Sequence, residues 1–181
     1  MSDKQGYHIR DQEACYFLTF QIVGWLDIFT RKRYRDIVVE SFAYCQKVKE
    51  LKIYAWVIMS NHIHCILSSN NGSLSNTIRD FKRHTSKQII ESIQNENESR
   101  REWLLHQFNY YASKHKRNKI YQIWTHENHP IELEGDMFEQ RLDYIHNNPV
   151  RAGVVWNPED YLYSSAIDYS GENGLLEITY I

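Results

Sequence analysis

The sequence has little that could staple a fold together covalently. Its three cysteines, Cys15, Cys45 and Cys65, are odd in number, far apart and without a C-x-x-C pair. That argues against a disulfide framework or a thiolate zinc site and fits a reducing cytoplasm. No apolar run approaches the roughly 18 residues of a membrane helix, so no membrane partner is expected. Residues 1–12 are polar and lack the apolar centre of a signal peptide. A soluble cytoplasmic protein is the expectation. There is no excess of positive charge either: the formal net charge is −2, so no global field favours nucleic acid and any such binding must rest on local patches. No internal repeat is visible.

What is present is an ordinary globular composition with many aromatics. A length of 181 residues suits one domain with one large core: a single unit over 1–181, with its core at 14–170 and a tail at 171–181. Hydrophobic residues are 42% and charged residues 24%, the balance of a soluble protein. Aromatics reach 14%, with 13 Tyr and 5 Trp, which suits sheet formation or stacking surfaces.

Periodicity orders the chain. Residues 14–23 alternate Phe17, Thr19 and Gln21 against Tyr16, Leu18, Phe20 and Ile22, as in a strand with one well-buried face. Residues 33–50 carry Tyr34, Ile37, Val38, Ser41, Cys45 and Val48 at helical spacing. Ile53–Met59 is nearly all apolar, as in a central strand. Ser60-Asn61 gives turn chemistry, and His62–Leu67 reads as the next strand. Leu74–Ile93 is a second helix, with Arg79, Lys82, Arg83, His84 and Lys87 crowding its polar side. A solvated face explains such a run; a phosphate-facing patch would also. Residues 94–118 are highly polar and read as an extra helix or a mobile insert, with a basic cluster at Lys114-His115-Lys116-Arg117. Ile120–Thr125 looks like a strand. Asp136 and Glu139 form a capping-box-like start to a helix that Pro149 ends or forces to end just before. Leu175–Ile181 could pair as an edge strand. The order strand, helix, strand, strand, helix, strand, helix predicts an α+β fold: a ferredoxin-like, RRM-like βαββαβ antiparallel sheet with helices on one face, plus a C-terminal helix carrying Tyr144.

Two short patterns carry chemistry. His62 and His64 share one face of a strand with Cα atoms about 6.6 Å apart, a span that two imidazoles can close onto one cation; two polar residues on a solvated face would look the same. Tyr144 and Asn148 lie one helical turn apart, about 6 Å along the axis. They could be a nucleophile beside a metal ligand, or a packed tyrosine beside an asparagine that serves the helix end. His126-x-x-His129 is a rival pair, but its setting beside Pro130 suits a polar loop. If the last helix crosses the sheet face of the histidines, Asn148 can add a carbonyl oxygen acceptable to Mg2+ or Mn2+, and Tyr144 arrives beside the cation. A tyrosine there could attack a phosphodiester, leaving a 5′-phosphotyrosine and a free 3′-OH.

The run from Tyr54 through Met59-Ser60-Asn61-His62-Ile63-His64 to Leu67 resembles the HUH segment of REP-associated tyrosine transposases and their single-tyrosine relatives. So does Leu142-Asp143-Tyr144-Ile145-His146-Asn147-Asn148-Pro149-Val150-Arg151-Ala152-Gly153-Val154, followed by Pro158-Glu159-Asp160-Tyr161 and Tyr163-Ser164-Ser165-Ala166. The resemblance spans about residues 14–170. It implies Tyr144 as nucleophile, and His62, His64 and Asn148 as ligands of Mg2+ or Mn2+. It also implies DNA contacts at Arg79, Lys82, Arg83, Lys87 and Arg151, and single-stranded DNA beside a hairpin as substrate. The enzyme would be a metal-dependent transesterase, a monomer or a homodimer. The polar 94–118 segment and the low net charge depart from the family pattern. They leave open a domesticated hairpin-binding module without strand transfer, and a hydrolase in which water replaces the tyrosine.

Overall fold

In a computed structural model, which describes residues 8–114 and 120–181, four strands form one antiparallel sheet in the order β2-β3-β1-β4. The strands are β1 (Tyr16–Gln21), β2 (Leu51–Ile58), β3 (His62–Ser69) and the short β4 (Ile131–Glu132). The helix α1 (Lys32–Lys49) joins β1 to β2, and α2 (Leu74–Asn95) follows β3. This is the expected α+β architecture with βαββαβ order. Alternation decides which side chains meet the helices. Tyr16, Leu18 and Phe20 of β1 and Ile63, Cys65 and Leu67 of β3 all join the core beneath α1 and α2. There Phe42 of α1 stacks on Phe81 of α2 with ring centres 4.4 Å apart, and Phe81 reaches Phe20 at 5.7 Å.

The opposite face is covered too. Phe17, Ala55, Val57, Met59 and Ile66 form a second apolar cluster with Ile145, supplied by α4 (Met137–His146). The all-apolar run of β2 serves both faces because the strand changes parity. Ile53 pairs with Leu67 and Ala55 with Ile66, so Tyr54 is the extra residue of a bulge. Leu51 and Ile53 before it, and Trp56 and Ile58 after it, therefore all reach the helix-covered core.

Three expectations are corrected, and one left open is decided. First, β2 is an outer strand of the sheet, not a central one. Its free edge is covered by the C-terminal region: Ile58 N donates to Tyr163 O at 3.0 Å, Ser165 N to Trp56 O at 3.0 Å and Thr179 N to Ile53 O at 2.9 Å. A paired edge offers no template for another strand. The tail thus contributes one backbone bond here rather than a strand. Second, residues 120–125 run beside β1 without forming a strand. They make one isolated bridge, Ile22 to Trp124, with Val23 N to Ile123 O at 2.9 Å and Thr125 N to Gln21 O at 2.8 Å. His129, at φ 43, and Pro130, without an N–H, interrupt the ladder before β4 resumes it opposite Phe17 and Tyr16.

The open one is the 94–118 segment: of its two readings the extra helix is present, as α3 (Arg101–Ser113), which buries Leu104, Phe108 and Ala112. Residues 115–117 of the basic cluster lie outside the described residues. The turn before α3 is fixed by Glu98, 5% exposed. Its carboxylate accepts from Arg31 at 3.0 Å, Arg33 at 2.8 Å and Tyr34 Oη at 2.9 Å. These partners and the Arg100 backbone N–H outweigh the cost of burial and hold the carboxyl down at about 2. Third, Asp136 is itself helical (φ −67, ψ −6) and makes no side-chain cap, so the capping box is not formed. Among the described residues no helix is long and apolar enough to cross a membrane.

Candidate active site

His62 and His64 come from the first turn of the β3 ladder, on the face away from α1 and α2. Their ring centres are 4.6 Å apart. Each is oriented by a neighbour through Nδ1. His62 Nδ1 lies 2.6 Å from Asn61 Oδ1, and His64 Nδ1 lies 2.9 Å from Thr19 Oγ1 on the adjacent strand. Asn61 Nδ2 donates to the Trp25 carbonyl at 3.3 Å, which turns its acceptor oxygen towards His62. His62 must then carry its proton on Nδ1, leaving the Nε2 lone pair for the site. Burial lowers the pKa of His62. It pushes His64 down to about 3, with His62 and Arg141 adding to the effect. Both rings are thus neutral imidazoles, the form that ligates a metal.

Tyr144 is brought to this pair by α4. Phe138, Leu142 and Ile145 lay the helix against the sheet, and Phe138 meets Tyr54 edge-on at 5.9 Å. The Tyr144 ring then sits 5.2 Å from His64 and 6.0 Å from Phe17, while Phe17 stacks on His64 at 5.4 Å. The end of α4 is pinned by His146, whose Nε2 lies 2.9 Å from Ser165 Oγ. That oxygen also accepts from Trp56 N at 3.0 Å. Burial lowers the pKa of His146 to about 4.

α4 ends at His146, just before Pro149, but Pro149 does not stop the helical path. It stands in the first turn of a second short helix, α5 (Asn148–Arg151), where its missing N–H costs nothing and its φ is already helical. Arg151 N reaches Asn147 O at 2.9 Å and Ala152 N reaches Asn148 O at 3.0 Å. Asn148 is half-buried one turn beyond Tyr144. Arg151 holds its guanidinium 5.6 Å from the Tyr144 ring centre.

The basic residues of α2 do not share this face; their helix covers the other side of the sheet. Arg79, Lys82 and Arg83 line a groove with His126, Asn128 and His129. The ammonium of Lys82 is held inside the protein, by Thr125 O at 2.9 Å and by Asn128 Oδ1, and burial lowers its pKa to about 8. Arg79 pairs with Asp80 at 3.0 Å, Arg83 is exposed, and Lys87 lies 3.7 Å from Glu91. The rival His126 and His129 stand in this groove. Sequence reasoning passed over Arg141, which lies 4.9 Å from the Phe17 ring centre. Its signal was its place one turn before Tyr144, at i−3.

By donor chemistry alone, two neutral imidazoles and a carboxamide suit a divalent cation. Among the described residues the Nε2 atoms of His62 and His64, the carboxamide of Asn148 and the hydroxyl of Tyr144 make no hydrogen bond within the protein. No group of three or more His, Cys, Asp or Glu side chains gathers among the described residues, so a site here would take its third protein ligand from an amide.

The family model described as transposase IS200 like matches residues 26–125, a span that includes both histidines and stops before Tyr144. In structure, the chain is similar to a REP-associated tyrosine transposase solved bound to a REP hairpin. The TM-score is 0.63 at 19% identity, over 99% of this chain and 92% of that one. A candidate transposase from Deinococcus radiodurans gives a TM-score of 0.43 at 13% identity, over 81% of this chain and 97% of that one. No curated protein matches in sequence. With the matched span covering more than half of its residues, the chain belongs to the IS200-like transposase family.

Proposed function

We propose that this transposase-family protein cuts and rejoins single-stranded DNA beside a hairpin, with Tyr144 as the nucleophile. One observation carries the reading: the Tyr144 ring stands 5.2 Å from His64, itself paired with His62 at 4.6 Å, on the sheet face away from α1 and α2. Tyr144 Oη forms a bond to the scissile phosphorus as the bond from phosphorus to the 3′ oxygen breaks. The phenolic proton leaves to solvent and the 3′ oxygen is protonated. The products are a 5′-phosphotyrosine and a free 3′-OH. Attack by another 3′-OH reverses the step and joins the strands.

His62, His64 and Asn148 would hold Mg2+ or Mn2+, which when bound polarises the phosphodiester and stabilises the charge developing on the leaving oxygen. Asn61 fixes the tautomer and rotation of His62, and Thr19 the rotation of His64. Arg151 adds positive charge beside the tyrosine, and Arg79, Arg83 and Lys87 offer exposed cations to the DNA backbone. Lys82 is committed to the protein interior and serves the groove's shape. The hairpin in the similar solved structure supports a hairpin partner, and the meeting of His64 and Tyr144 within one chain supports a site complete in a monomer.

The test is a denaturing gel of protein mixed with labelled hairpin oligonucleotides. A slow-moving covalent adduct that needs Mg2+ or Mn2+, and is lost with EDTA and in Tyr144→Phe, is the expected result. An adduct that survives in Tyr144→Phe removes Tyr144 as nucleophile. Turnover without an adduct points to water as the nucleophile. Tight hairpin binding indifferent to chelator, with no cleavage, replaces the reading with that of a binding module.

A further inference from the structure

The strand-transfer reading leaves one cation of this face unassigned. Arg141 is half-buried and projects from α4 one turn before Tyr144. Its guanidinium carbon lies 4.9 Å from the Phe17 ring centre. Phe17 in turn stacks on His64 at 5.4 Å and meets Tyr144 at 6.0 Å. The guanidinium is therefore one aromatic ring away from both the candidate nucleophile and a candidate ligand.

Its electrostatic setting separates it from the ion-paired arginines. Arg31 and Arg33 are paired with Glu98, Arg79 with Asp80 and Arg100 with Asp27. Among the described residues no carboxylate lies within ion-pair distance of Arg141, and no protein acceptor takes any of its N–H groups. The surroundings are the Phe17 and Tyr144 rings and the two imidazoles. A second guanidinium, Arg151, stands against Tyr144 at 5.6 Å. The face thus holds positive charge with no internal counter-ion. A half-buried guanidinium is costly without a partner, and its planar set of five donors matches two oxygens of a phosphate.

We propose that Arg141 binds the non-bridging oxygens of the phosphodiester that Tyr144 attacks. The inference rests on the strand-transfer reading, which supplies the phosphodiester. Arg141 would hold the phosphate in line with Tyr144 Oη and stabilise the charge that builds on its oxygens as the new bond forms.

The test couples one residue to one phosphate. In the Tyr144→Phe background, which cannot cleave, hairpin oligonucleotides carry a single neutral methylphosphonate. It is moved through each position of the single-stranded flank, and affinity is read by fluorescence anisotropy. At one position the substitution is expected to weaken binding about tenfold with Arg141 present, and less than about twofold in Tyr144→Phe/Arg141→Met, which keeps the aliphatic stem. Arg141→Lys should fall between them. A penalty equal in both proteins at every position overturns the proposal. In the protein that retains Tyr144, Arg141→Met should slow adduct formation about a hundredfold. The two readings fail separately. No adduct from the unmodified protein sinks strand transfer, while the methylphosphonate series still reports whether Arg141 holds a phosphate. A normal adduct with a flat series sinks Arg141 alone.

Discussion

Asn61 Oδ1 stands 2.6 Å from His62 Nδ1, and this bond decides which nitrogen of the imidazole faces the site. Asn61 is fixed in turn by Trp25, whose carbonyl accepts from its Nδ2 at 3.3 Å. Removing the acceptor frees the ring to rotate and to change tautomer. Asn61→Ala is therefore expected to lower Mn2+ affinity about 10- to 100-fold while thermal unfolding shifts little. Mn2+ titration followed by electron paramagnetic resonance checks it. Unchanged affinity would mean that His62 is held by packing alone.

Ser165 joins the tyrosine helix to the sheet. Its fully buried Oγ accepts from Trp56 N at 3.0 Å and lies 2.9 Å from His146 Nε2. Ser165→Ala leaves both groups without that partner in an apolar setting. A loss of about 1–3 kcal/mol in urea unfolding is expected, together with slower adduct formation because the end of α4 is released. Ser165→Thr, which keeps the oxygen, should retain more of both.

Glu98 makes stability depend on acid. Its folded pKa, about 2, lies below the ordinary 4.5, and its side chain is fully enclosed. A depressed carboxylate stabilises the fold fully above its unfolded pKa, and that stabilisation fades as the pH falls towards the folded one. On the order of 3 kcal/mol should thus be present above about pH 5 and lost towards pH 2. Glu98→Gln is expected to unfold more easily than the unmodified protein at neutral pH, with the gap narrowing over that window. A gap constant from pH 7 to pH 3 would contradict it.

How much of this was legible in the sequence follows from how local each signal is. A two-residue period placed His62 and His64 on one face, and helical spacing placed Tyr144 and Asn148 one turn apart; both need only neighbouring residues. The parity change at Tyr54 was hidden because Ile53 before it and Ala55 to Met59 after it are all apolar, so no polar residue marks the slip beyond the bulge. Glu98 sat in a polar stretch, and its burial depends on Arg31, Arg33 and Tyr34, more than sixty residues away. Lys82 looked like a member of a solvated basic run; only the fold shows that residues 125–128 receive it. The capping box at Asp136 failed because the chain enters α4 already helical, which removes the extended geometry that a cap needs.

The turn after β1 provides a last prediction, since it supports the histidine site from behind. Gly24 has φ +63 and Trp25 φ +58, and Ile22 N at the turn's start donates to Asn61 O at 2.9 Å. A Cβ on Gly24 would stand 2.6 Å from the Tyr111 ring. Gly24→Ala thus meets two obstacles, a left-handed backbone and a crowded ring. The ring is the far end of a side chain and can yield, so the backbone should dominate, costing about 1–2 kcal/mol. The two are separable by a double-mutant cycle with Tyr111→Ala. If the backbone dominates, Gly24→Ala costs the same with and without the tyrosine. If the ring dominates, the cost disappears in the Tyr111→Ala background. Because Trp25 of this turn accepts from Asn61 Nδ2, and Asn61 orients His62, the same substitution should also weaken Mn2+ binding. Intact metal affinity in a destabilised Gly24→Ala protein would separate the turn from the site.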